Sequence, residues 1–126
     1  MSGQILLVED DDAVRELVEA VLSRQGYAVT AAANPKEGLE ILAGPGLFDM
    51  LVTDVTMPGM GGREFATRCQ EQRPDLRVLF MTGYVEALVE DGVLDPCLAV
   101  MQKPFSGLAL LERVRAILDG PCAPGS

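Results

Sequence analysis

The sequence predicts an α/β fold, a parallel sheet wound on both faces by helices, and three observations predict it. Short uninterrupted apolar runs such as Ile5-Leu6-Leu7-Val8 and Val78-Leu79-Phe80-Met81 read as strands covered on both faces. Stretches with apolar residues at helical spacing lie between such runs, so the two patterns alternate along the chain. The length of 126 residues suits one domain with a real core.

Taken in order, the first strand is Ile5 to Val8, and it runs into Glu9-Asp10-Asp11-Asp12. Asp12 is expected to cap the next helix, in which Val14, Leu17, Val18, Val21 and Leu22 recur at helical spacing until Gly26 stops it. Tyr27 to Ala33 reads as the second strand. Asn34-Pro35 then reads as an N-cap with proline in the first turn, opening a helix that carries Leu39, Ile41 and Leu42 and ends at Gly44-Pro45-Gly46. Met50-Leu51-Val52 is the third strand, and it delivers Asp54 to a break made by Pro58, Gly59, Gly61 and Gly62.

Phe65, Ala66 and Cys69 mark the apolar side of a third helix, closed by Arg73-Pro74. The fourth strand, Val78 to Met81, halts at Thr82-Gly83. Val85, Leu88 and Val89 suggest a short helix between Tyr84 and Asp95. Leu98 to Met101 is the fifth strand, ending at Lys103-Pro104, and the last helix runs from about Ser106 to Leu118 with Leu110, Leu111, Val114, Ile117 and Leu118 on its inner face. Right-handed crossovers leave few topologies for such a chain, and the expected one is the flavodoxin-like (βα)5 arrangement with strand order 2-1-3-4-5.

Composition narrows the function. A net charge of −9, with ten scattered basic residues, leaves no cationic stripe for a phosphate backbone, so direct nucleic-acid binding is not expected. No apolar run reaches the roughly 20 residues of a membrane helix, and Met1-Ser2-Gly3-Gln4 lacks the basic start of an export signal, so a cytoplasmic protein is expected. Histidine is absent, which removes His-based acid–base chemistry and any phosphohistidine stage from this polypeptide. Cys69, Cys97 and Cys122 lie far apart without a Cys-x-x-Cys and read as reduced thiols.

In open α/β sheets the functional crevice lies at the carboxyl ends of the strands, where strand order reverses. There the sequence places Glu9 and Asp10 after strand one, Asp54 after strand three, Thr82 after strand four and Lys103 after strand five. Alone, Asp54 would read as a turn aspartate. Three gathered carboxylates repel one another by several kcal/mol at an intermediate dielectric, and one lysine cannot neutralise them. A hard divalent cation can, and Mg2+ accepts a few oxygen ligands while keeping several waters. A carboxylate with a free oxygen could then attack phosphorus, since phosphoryl transfer asks mainly for in-line positioning and neutralised equatorial oxygens.

These residues sit in motifs that resemble the response-regulator receiver domain of two-component signalling. The motifs are Leu7-Val8-Glu9-Asp10-Asp11, Thr53-Asp54-Val55-Thr56-Met57-Pro58-Gly59-Met60-Gly61-Gly62, Met81-Thr82-Gly83 and Lys103-Pro104-Phe105, in that order from Gln4 to Leu118. The resemblance implies that Asp54 accepts a phosphoryl group from a histidine kinase or histidine phosphotransfer protein. It implies that Asp10 ligates Mg2+, that Glu9 holds it through water, and that the Thr56 carbonyl and Asp54 complete the protein's share. Thr82 becomes the switch hydroxyl and Lys103 the phosphate-pairing lysine. Such a domain catalyses only its own phosphorylation and slow dephosphorylation.

The chain then divides into a receiver domain over 1–119 and a flexible tail or linker start over 120–126. The surface around Tyr84 to Asp95 is the place expected for a homodimer. Two departures stand out. Val100 occupies the position where many family members carry an aromatic ring that moves inward on activation, and Gly62 replaces a larger residue at the start of helix three. Met81-Thr82-Gly83-Tyr84, Leu94-Asp95-Pro96 and Gln102-Lys103-Pro104-Phe105 look similar to receivers at the carboxyl end of hybrid sensor kinases. A rival reading is a pseudo-receiver, an interaction module that uses no phosphate. Another is a phosphatase, against which Thr56 stands where a second acid would be needed.

Overall fold

The computed structural model describes residues 3–54, 61–74, 76–82, 98–102 and 106–119. The apolar runs form five strands, β1 (Gln4–Val8), β2 (Ala28–Ala32), β3 (Met50–Asp54), β4 (Arg77–Thr82) and β5 (Leu98–Gln102). All pair in parallel, in the order β2-β1-β3-β4-β5. This is the expected flavodoxin-like topology. The described helices are α1 (Asp12–Arg24), α2 (Pro35–Leu42), α3 (Gly62–Gln72) and α4 (Gly107–Asp119). The short helix expected between Tyr84 and Asp95, with the dimer surface assigned to it, lies outside the described residues, as does the 120–126 tail.

Alternation along the strands divides the core in two. Leu6, Val8, Leu51, Val78 and Phe80 point to one face, where Leu42 of α2 and Phe65, Ala66 and Cys69 of α3 cover them. Ile5, Leu7, Met50, Val52, Leu79 and Met81 point to the other, under Val18 and Leu22 of α1 and Leu110 and Val114 of α4. Because both faces are covered, the central strands β1, β3 and β4 are buried nearly throughout, which is why they read as unbroken apolar runs. Burial pushes the Cys69 thiol up to about 12, so it is held neutral as a small apolar core side chain. Leu17, part of the apolar repeat of α1, is 53% exposed and stands outside the core.

The helix ends follow local chemistry. The Asn34 side chain accepts from the Glu37 amide at 2.8 Å, with Pro35 opening α2 as expected. Asp11, and not Asp12, caps α1. Its Oδ1 accepts from the amides of Ala13 at 2.9 Å and Val14 at 3.3 Å, and Asp12 is the first helical residue. Both are aspartates near a helix start, so composition could not separate them, but an N-cap needs extended backbone and Asp11 has it (φ −81°, ψ 115°). Gly26, with φ 95°, turns the chain out of α1. The start of α3 at Gly62 has no side-chain cap, because Gly61 stands at the cap position.

Two arginines close other ends. The Arg73 Nη2 donates to the carbonyls of Leu42 at 2.8 Å and Gly44 at 3.1 Å, satisfying the C-terminus of α2 from beyond α3. Arg77 at the start of β4 donates to the carbonyls of Ile117 and Leu118 at the end of α4. Among the described residues no helix is long and apolar enough to cross a membrane.

α2 packs closely on α3 and β1 at Gly38, where an added Cβ would lie 2.7 Å from Phe65 Cζ and 2.9 Å from Val8 Cγ2. Both neighbours are fully buried. Overpacking of that kind costs about 1–3 kcal/mol, against a gain of about 1 kcal/mol from replacing a helical glycine by alanine. Gly38→Ala should therefore destabilise the fold by a net of about 1 kcal/mol, read as a lower urea midpoint. A raised midpoint would show that the α2–α3 contact has slack.

Candidate functional site

The register of the central strands builds the site. β1 lies between β2 and β3, so the chain leaves it to opposite sides and a crevice opens at the carboxyl ends of β1 and β3. Val8 is paired with Thr53, which sets Glu9 abreast of Asp54 on neighbouring strands, a spacing of about 4.8 Å. Asp10 follows in the turn to α1. Carboxylate oxygens of Glu9, Asp10 and Asp54 lie within 4.8 Å of one another.

The three differ in surroundings. Glu9 is completely buried, Asp54 is partly buried and Asp10 is exposed. The Glu9 amide extends the sheet by donating to the Ala32 carbonyl at 3.2 Å, and its Oε1 accepts from the Asp11 amide at 3.1 Å. Thr53, also buried, donates its hydroxyl to the Asp54 carbonyl at 3.1 Å. The N-terminus of α1 opens beside the pocket, and its dipole favours negative charge there. The turn is tied down by Arg15, whose Nη1 donates to the Glu9 carbonyl at 2.9 Å while its Nη2 pairs with Asp12.

Of the residues singled out in the sequence, the structure thus brings together Glu9, Asp10 and Asp54. Thr82 ends β4 with its backbone beside Gln102 of β5, on the same carboxyl edge of the sheet. Val100 pairs with Phe80 in mid-strand. Thr56 and Lys103 lie outside the described residues. Arg15 was not a candidate from sequence. Its signal there is the three-residue spacing from Asp12, which brings the two side chains together on one helical turn.

The donor set fits a hard divalent cation. All three side chains offer carboxylate oxygens, with Glu9 fully buried, Asp54 at most partly exposed and Asp10 exposed, which suits an ion that takes few protein oxygens and keeps water. Unit charges at about 4 Å repel by about 4 kcal/mol at an effective dielectric of 20, less where water reaches them, so a cation would relieve a strain built into the register.

Fold and pocket define a doubly wound α/β domain with an acidic crevice at its topological switch point. The profile of the response regulator receiver domain matches residues 5–115, and the chain belongs to that family, the receiver domains of two-component signalling. It is 37% identical over 120 residues to the sensor kinase CckA of Brucella abortus, covering 94% of this chain and 13% of the kinase. It is 36% identical over 116 residues to the response regulator receiver protein CpdR of the same organism, covering 91% of this chain and 96% of that protein. The CheY-like receiver domain protein of Methanospirillum hungatei superposes with a TM-score of 0.85 at 29% identity, over 94% of this chain and 95% of that one.

Repulsion within the pocket has a measurable consequence. Asp10→Asn removes one of the three charges at an exposed position. It should stabilise the fold by up to about 1 kcal/mol in metal-free, low-salt buffer, read as a raised thermal midpoint, and the gain should shrink as salt screens the repulsion that Asp10 makes in the parent. An unchanged midpoint at low salt would mean the carboxylates do not strain the fold.

Proposed function

We propose that this domain takes a phosphoryl group onto Asp54 from a phosphohistidine of a sensor kinase or phosphotransfer protein, with Mg2+, and acts as a conformational switch. The convergence of Glu9, Asp10 and Asp54 at the switch point is the observation that carries this reading. Asp10 and Asp54 would ligate the ion through carboxylate oxygens, Glu9 through water and Thr56 through its carbonyl. Bound there, the cation supplies charge neutralisation to the transferring phosphoryl group.

The protein's own residues do the rest. An Asp54 oxygen attacks phosphorus as the phosphorus–nitrogen bond to the donor histidine breaks, and the freed imidazole takes up a proton. The Lys103 ammonium and the Thr82 hydroxyl each meet a phosphoryl oxygen, and those contacts differ between the unmodified and phosphorylated states, which is what shifts the population. One phosphoryl group per chain is taken and slowly lost, so the domain regulates and does not turn over a substrate. Thr56, standing where a second acid would activate water, favours retention.

With Val100 in place of an aromatic ring, we assign the outward signal to the segment containing Thr82 and Tyr84. The receiver would occupy 1–119 in the cytoplasm, with 120–126 as tail or linker. Likeness to a segment of the sensor kinase CckA supports placing it in a kinase-linked relay.

The test is label transfer from a phosphorylated histidine kinase in the presence of Mg2+. Asp54→Asn should abolish uptake while leaving the fold intact by circular dichroism. Equal labelling of the parent chain and the variant would overturn the assignment.

A further inference from the structure

We infer that Arg15 is a positioning residue for the acidic pocket: its guanidinium, bonded at once to the buried Glu9 carbonyl and to Asp12, sets the direction in which Glu9 and Asp10 are presented to a cation. This rests on the cation reading given above.

Residues 9–12 are all acidic, and each is committed differently. Asp11 is engaged with the amides that open α1, and Glu9 Oε1 accepts the Asp11 amide. The Glu9 carbonyl lies one residue past the last paired residue of β1, and its residue is fully buried. A buried carbonyl needs a donor, and Arg15 Nη1 supplies one at 2.9 Å. That carbonyl belongs to the peptide joining Glu9 to Asp10. Fixing its plane fixes where both side chains leave the backbone.

A guanidinium suits this task because it is a rigid planar fork that binds two acceptors without swivelling. One prong reaches the carbonyl of residue 9 and the other the carboxylate of residue 12, so the fork spans the whole turn. Arg15 itself is only 21% exposed, whereas Asp12 is 80% exposed. An exposed ion pair contributes little to stability, so the prong on the buried carbonyl is the one that matters.

The sign of the effect separates positioning from simple charge. A cation near a metal site repels the metal, so if Arg15 acted through charge alone, its removal would tighten Mg2+ binding. If it acts by positioning, removal loosens binding despite the more favourable field. Groups that orient metal ligands from behind typically affect affinity by tenfold or more.

The experiment is a Mg2+ titration of the full chain, its Arg15→Ala variant and its Arg15→Lys variant, followed by amide NMR shifts at Glu9, Asp10 and Asp54. Hydrogen exchange of the Asp11 amide is measured alongside. Arg15→Ala should raise the Mg2+ midpoint by about tenfold and speed exchange at Asp11. Arg15→Lys, which keeps the charge but not the fork, should recover only part of both. A midpoint in Arg15→Ala equal to or below that of the parent overturns the inference. If the parent itself shows no Mg2+ response, the cation reading fails, and the Asp11 exchange rate alone decides whether Arg15 holds the turn. Should Arg15→Ala fail to fold, the same comparison is made with Arg15→Lys, in which parent-like values would overturn it.

Discussion

Like-charge repulsion between carboxylates that the backbone forces together is the constraint on which the rest of this molecule depends. Pairing Val8 with Thr53 leaves Glu9 and Asp54 abreast, one strand spacing apart, and the turn into α1 adds Asp10. The register is in turn held by the two apolar faces of the sheet, since a slip of one residue would turn Leu6, Val8 and Leu51 away from α3 and toward α1. The core therefore fixes an arrangement that the carboxylates would not choose for themselves. A site strained in this way answers strongly to a cation or to a change of charge at Asp54, which is what a switch requires.

The surrounding chemistry partly offsets the strain. The α1 N-terminus faces the pocket, the Asp11 amide is donated to the most buried of the three acids, and Arg15 ties the turn from behind. Glu9 is completely buried, and these donors help offset the cost by reaching its carboxylate and its carbonyl. Away from the carboxyl ends of the strands, Arg73 and Arg77 close the ends of α2 and α4.

The sheet was legible because strands buried on both faces leave long apolar runs. Ile5 to Val8, Met50 to Val52 and Val78 to Met81 all lie within observed strands, and the observed order is one of the common ones among the few that right-handed crossovers leave. The pocket was legible because a sheet of that order has one switch point, and Glu9, Asp10 and Asp54 had to meet there. Finer features depended on backbone geometry that composition does not carry. Asp11 and Asp12 are chemically the same at a helix start, and only the extended φ,ψ of Asp11 makes it the cap. Leu17 matched the period of α1, yet the buried stripe is narrow enough to leave it exposed. For Arg15 the sequence carries only its three-residue spacing from Asp12, an ordinary surface ion pair; its bond to the Glu9 carbonyl has no pattern, because every residue possesses a carbonyl.

The central claim is that Asp54 is the nucleophile of a cation-dependent phosphoryl transfer. Borohydride reduces an acyl phosphate to an alcohol and leaves free carboxylates untouched, so it marks the acceptor directly. The chain, incubated with Mg2+ and a small phosphoramidate donor, is reduced and its peptides are weighed by mass spectrometry. The account predicts homoserine at position 54, lost when Mg2+ is chelated; no reduction there, or reduction at another carboxylate, would contradict it.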